Sequence, residues 1–338
     1  MKRWRRVGVA VLGLVLAGNL ANFVVPDRPV ALGTCPTVVT DDGVAASVLA
    51  GALYPWAERE DVAPLPTLHE TGGEARLRLE NRGEATSAFV SQVQLLVVDH
   101  DEASEIFATP AGRLVAVRHS FLPTRRTPDG VELDRVEGRR ALLVLEARST
   151  PFAEKAFFRY LATMGRGVSP LMEHAVRTDC GTACAREVMD DELARLGLPL
   201  RVTVVGGSST AIAPVSPALA RRFAVPIELP ETGSTITIRL EAVPRFWEIE
   251  SVAIAPESAD VPFQTIGGQT AQAEILASGH SDLRFAVPPL TSAKRSFFVA
   301  VRGHYSVPIG GALLHPITIL EHRWGLISLP ELAARLPP

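Results

Sequence analysis

The chain is poor in the residues that usually advertise chemistry. Its 338 residues hold three cysteines, 6% aromatic residues and a formal net charge of only −3. Lys+Arg, at 34, nearly balances Asp+Glu, at 37, so the basic domain or stripe that marks nucleic-acid binding is missing and no nucleic-acid partner is expected. The eight histidines (69, 100, 119, 174, 280, 304, 315 and 322) show no H-x-x-x-H or H-x-H spacing, the spacings that set two imidazoles on one face of a helix or strand. "VVGGSSTA" at 204–211 lacks the Lys-Ser/Thr of a phosphate loop, and it reads as a turn between strands. "SGHSDL" at 278–283 has Leu283 where a nucleophile elbow needs glycine, and strand-like text follows Ser281. No repeat of solenoid or propeller period is found. These absences predict no catalytic residue, no cofactor and no metal.

What is there begins at the N-terminus. "MKRWRR" precedes "VGVAVLGLVLAGNLANFVV", residues 7–25, an uncharged apolar run closed by Pro26. Basic residues followed by such a run predict an export signal or a single membrane anchor. Asn19 and Asn22 weaken the second half of the run, and "VLA" at 15–17 offers a processing site, so cleavage and anchoring both stay open. Either way, the bulk of the chain is expected outside the cytoplasm, periplasmic or anchored to the inner membrane. Three cysteines suit an oxidising compartment. Cys180 and Cys184 can form a disulfide if the local turn brings their sulfurs together, while pairing of Cys35 with either one also stays open.

With 47% hydrophobic residues and this length, the chain can bury more than one core. "EARLRLE" at 74–80 alternates apolar and charged residues with period two, as a half-buried antiparallel strand requires. "FVSQVQLLVVD" follows, with Val93, Leu95 and Val97 on one face; "RLVAVRH" and "RALLVLEAR" read the same way. Residues 151–196 switch to helical offsets, with Pro151 suited to a first turn and Gly197 to a cap. Strands resume at "LRVTVV", "RFAVPIEL", "STITIRLEAV", "RFWEIESVAIA", "LRFAVPP" and "KRSFFVAVRGHYSVP". In "RFWEIESVAIA" a constant parity puts Phe246, Glu248, Glu250, Val252 and Ile254 on one face and Trp247, Ile249, Ser251 and Ala253 on the other. The fold class expected is mainly β: β-sandwich, jelly-roll-like units with an α-helical insertion behind an N-terminal signal or anchor helix. The pattern divides the chain into a signal or anchor (1–25), a linker and poorly defined segment (26–73) and a first β unit (74–150). A helical insertion (151–197), a second β-sandwich unit (198–325) and a C-terminal tail (326–338) complete it.

The order Cys35-Pro36, Val98-Asp99-His100, Phe157-Phe158 and Phe246-Trp247-Glu248-Ile249-Glu250-Ser251-Val252 resembles an uncharacterised bacterial exported β-rich domain. Glu250 stands where that family's last motif has Asp, and "TVVTDDGVAASVLAGALYPW" replaces its aromatic-rich first strand. The resemblance implies a periplasmic or surface β-rich module and transfers no catalytic residue. "FWEIESVAI" also resembles a late core strand of galactose-binding-like jelly rolls, a likeness of fold rather than function.

Asp99-His100 invites an acid–base reading. Adjacent strand residues point to opposite faces, however, so the two side chains diverge and make a poor dyad. Asp99 is expected to accept hydrogen bonds at the strand end. Phe246, Trp247, Phe297 and Phe298 are expected mainly to fill a core. The expectation is a non-enzymatic envelope protein, a structural or binding module with an envelope-protein or glycan partner, in contact with the membrane through residues 7–25 if these are retained. A carbohydrate-binding jelly-roll module, with Trp247, Phe246, Asp99 and His100 as its ligand surface, is the alternative, and a secreted hydrolase or metalloenzyme ranks last.

Overall fold

A computed structural model describes residues 35–50, 58–81, 87–118, 121–128, 130–134, 138–163, 190, 193–231, 235–256, 261–269, 273–275, 279–306, 321, 325–328 and 331. Residues 7–25, Cys180 and Cys184 lie outside them. The protein is mainly β. The first strands are β1 (Thr37–Thr40), β2 (Gly43–Ser47), β3 (Arg59–Pro64), β4 (Glu74–Glu80), β5 (Ser87–His100), β6 (Ser104–Ala108) and β7 (Leu114–Arg118). Next come β8 (Thr124–Thr127), β9 (Gly130–Asp134), β10 (Arg140–Ser149), helix α1 (Pro151–Thr163), β11 (Leu200–Val204), β12 (Ser209–Ile212), β13 (Arg221–Glu228), β14 (Thr235–Glu241) and β15 (Trp247–Pro256). The last are β16 (Gln264–Gln269), β17 (Ala273–Ile275), β18 (His280–Ala286) and β19 (Lys294–Ser306).

All pairings among the described residues are antiparallel. Sheet I runs β18-β4-β1-β2 and sheet II β16-β5-β19-β3, with β17 also on β5; sheet III is the hairpin β6-β7. Sheet IV runs β13-β10-β15 and sheet V β12-β11-β14-β9-β8. The pairing crosses the sequence-drawn boundaries. β4 and β5 pair with β18 and β19 from the far end of the chain, and residues 26–73, read as linker, contribute β1, β2 and β3.

The buried clusters order these sheets as layers. Leu77 and Leu283 of sheet I meet Leu95 and Val299 of sheet II in one cluster, which α1 joins through Ala153 and Ala156. The other face of sheet II, with Leu96, Val98 and Phe298, packs on Ile106 and Leu114 of the hairpin. The hairpin's second face, with Phe107, Val115 and Val117, meets Leu142 and Val144 of sheet IV. Leu143, Leu145 and Val225 on the far face of sheet IV pack on Val202 and Ile238 of sheet V. Sheets II and IV are therefore covered on both faces, which accounts for the unbroken apolar runs "LLVV", "ALLVL" and "FFVAV". The sequence assigned one buried face to β5; Leu96 and Val98 show that the second is buried as well.

Local chemistry sets the elements. Thr150 caps α1, its Oγ1 accepting from Ala153 N at 3.1 Å, and Pro151 takes the first helical position. Pro226 falls in β13, the edge of sheet IV, where a missing N–H is tolerated. The constant parity expected for "RFWEIESVAIA" fails at one point. Glu146 pairs Ser251 while Ala147 pairs Ile249, leaving Glu250 as the extra residue of a β-bulge. The bulge flips the strand, so Trp247, Ile249, Val252 and Ile254 all pack on the same cluster. A second bulge, at Ser91, lies opposite Gly303 in β19. There a Cβ on residue 303 would stand 2.2 Å from the carbonyl oxygen of Phe89. Gly303→Ala should therefore lower stability by roughly 1–3 kcal/mol, read as a shifted urea midpoint; an unchanged midpoint would contradict this close approach.

Candidate functional site

Four strands that stand at sheet edges among the described residues, β2, β3, β6 and β13, converge on one cleft of about 580 Å³, lined also from β10, β19 and the segments 64–70 and 215–220. Its floor is apolar: Leu65, Ile106, Phe107, Phe297 and Phe298 are all buried. Its rim carries Glu70, Glu105, Glu146 and Arg222, with Leu290 half-exposed at the mouth.

Beneath the cleft lies an ion pair that joins three sheets. Arg221, at the start of β13, donates from Nη1 to Asp61 Oδ1 at 2.7 Å and from Nη2 to Asp61 Oδ2 at 3.0 Å. Nη2 also donates to the Ser47 carbonyl at 2.9 Å, and Leu49 N donates to Asp61 Oδ2 at 2.9 Å. Leu49 is fully buried with φ of 63°, a left-handed conformation costly for a branched side chain and found where surroundings enforce it. Burial alone would raise the Asp61 carboxyl; the Arg221 charge and its hydrogen bonds outweigh it and hold the group below the usual carboxylate value.

On the rim, the next residue, Arg222, binds Glu105 through Nη1, reaches Glu146 at 3.9 Å and lies 5.2 Å above the Phe107 ring. Ser251 Oγ donates to Glu146 at 3.2 Å. Arg295, whose side chain is 7% exposed, lines the same cleft. It donates to Asp99 from Nε at 2.6 Å and Nη2 at 3.0 Å, to Glu70 at 2.6 Å, and to the carbonyls of Pro288 and Pro289. All five guanidinium donors are thereby used. Asp99 also accepts from Thr291 N and Oγ1. The Arg295 hydrogen bonds, helped by Thr291, hold its carboxyl at about 2 despite the opposing effect of burial.

Asp99 is thus a strand-end acceptor in a clamp, as the sequence suggested, and His100 turns elsewhere, with Nδ1 at the Asp101 carbonyl and Nε2 at Ser296 Oγ, both 2.9 Å. Phe246 is 0% exposed in the cluster of sheets I and II. Trp247 packs on both large clusters and donates its indole N–H to the Leu198 carbonyl at 2.8 Å. Phe246 is thus a core residue, and Trp247 beside it joins the two clusters. The candidate disulfide Cys180–Cys184 lies outside the described residues, and Cys35 is buried. Among the described residues no group of three His, Cys, Asp or Glu could hold a metal ion, and no helix is long and apolar enough to cross a membrane. Asp61, Arg221, Arg222, Glu105, Glu146 and Arg295 were not singled out from the sequence. The adjacent arginines that open "RRFAVPIEL" were the available signal.

Asp99, with its carboxyl held at about 2 against an ordinary 3.8, contributes stability that is full above the ordinary value and is lost as pH falls toward the depressed one. Asp99→Asn should cost roughly 1–2 kcal/mol near neutrality, and the gap to wild type should close between about pH 4 and about pH 2. Urea unfolding across that range tests this; a gap independent of pH would show that Asp99 does not act through its charge. Compared with known proteins, the chain matches no family model, no curated protein and no solved structure.

Proposed function

We propose that this is a non-enzymatic exported protein, periplasmic or anchored to the inner membrane through residues 7–25, whose folded part is a ligand-binding module. The binding part is carried by one observation: a cleft of about 580 Å³ with an apolar floor and a charged rim, within the size range of small-molecule and short-peptide sites. In architecture we read sheets I and II as one β-sandwich and sheets IV and V as a second, inserted between β7 and β16. The rim carboxylates are held by guanidinium groups, an arrangement suited to holding a ligand rather than to moving a proton. The burial of Phe246 and the engagement of Trp247 support a ligand in the cleft over one on that aromatic pair.

Export rests on the N-terminal pattern. With the full chain expressed in a bacterial host, fractionation should recover it from the periplasm or the inner membrane, and added protease should reach it in spheroplasts but not in intact cells. Recovery as a soluble cytoplasmic protein would overturn the compartment.

A further inference from the structure

We infer that the cleft takes an amphipathic cation: a guanidinium or ammonium group carried on an apolar body. The inference rests on the cleft being a ligand site, as proposed above, and adds the chemistry of its occupant. Each arginine of the rim faces two carboxylates: Arg295 has Asp99 and Glu70, and Arg222 has Glu105 and Glu146. Arg221, below them, is answered by Asp61. The lining itself holds three carboxylates and three guanidinium groups; with Asp61 and Asp99 behind it the ion network has five carboxylates to three arginines, an excess of negative charge around the cleft. Three of the carboxylates are reachable, Glu70, Glu105 and Glu146 being exposed by 35%, 33% and 33%, whereas of the arginines only Arg222, at 43%, is open and Arg295 is almost enclosed.

Two further observations point to an occupant. Ser47, 6% exposed, lines the cleft, and its Oγ has no hydrogen-bond partner among the described residues. A buried hydroxyl in that state costs free energy until something bonds it. The protein also supplies its own example of the recognition: Arg222 lies over the Phe107 ring with carboxylates at its edge, the geometry in which an aromatic face and an acid together hold a guanidinium. A ligand cation would bind the remaining capacity of the carboxylates, its apolar body lying on the floor at Leu65 and Phe297 with Leu290 over the mouth.

The test uses the folded chain and two blocked dipeptides, N-acetyl-Phe-Arg-amide and its uncharged isostere N-acetyl-Phe-citrulline-amide, titrated by calorimetry at low and high salt. Agmatine, a cation without a large apolar body, is the third arm. The arginine peptide should bind at least about tenfold more tightly than the citrulline peptide, lose affinity with salt and exceed agmatine. Agmatine binding as tightly as the peptide would assign the site to free amines and overturn the apolar half of the inference. Glu105→Gln with Glu146→Gln should weaken the peptide about tenfold or more, and Ser47→Ala should weaken it a few-fold without lowering stability. Equal binding of charged and uncharged peptides would overturn the cation while leaving a binding module intact. No binding of the arginine peptide up to about millimolar would overturn the inference outright, whatever the variants do.

Discussion

The arrangement depends on a charge that has been taken out of water. Asp61 of β3 and Arg221 of β13 meet where the edges of sheets I, II and IV come together, and the backbone of Ser47 and Leu49 closes the network. Desolvating two such groups costs several kcal/mol each, recovered only with near-complete hydrogen bonding. A bidentate contact with additional backbone partners meets that condition. A buried pair of this kind adds little net stability over an apolar contact of equal volume; what it imposes is position. It fixes three sheet edges relative to one another, and the cleft is the space those edges leave.

The second constraint is the hairpin β6-β7, whose Ile106 and Phe107 enter different clusters on its two faces. A two-stranded ribbon is marginal by itself; here it is held between sheets II and IV, and it welds them. Because β4 and β5 pair with β18 and β19, sheets I and II close only when both ends of the chain have met. Contacts of such sequence separation imply slow folding.

Legibility in the sequence differs from element to element. The strand from Glu74 to Glu80 was legible because it is covered on one face, so its alternation survives in the text. β10 and β19 were legible as strands, but a run buried on both faces carries no parity, so their second neighbours were not. The Glu250 bulge was invisible because one inserted residue leaves composition and propensity unchanged while reversing every face after it. Asp99 was correctly placed as a strand-end acceptor, yet its partner Arg295 is almost two hundred residues away, and register between distant strands is not written locally. The cleft was illegible for the same reason. Ser47, Glu105 and Arg221 come from strands of three different sheets, and Glu146 from the strand that pairs with that of Arg221, so the cleft forms only when these sheets have packed.

On this geometry Asp61 and Arg221 act as one unit fixing the sheet edges. A double-mutant cycle with Asp61→Leu and Arg221→Met, read by urea unfolding, tests it most directly. Each single change should cost about 3–5 kcal/mol by stranding a buried charge, whereas the double change should cost much less than their sum. Single effects that add to within about 0.5 kcal/mol would contradict it.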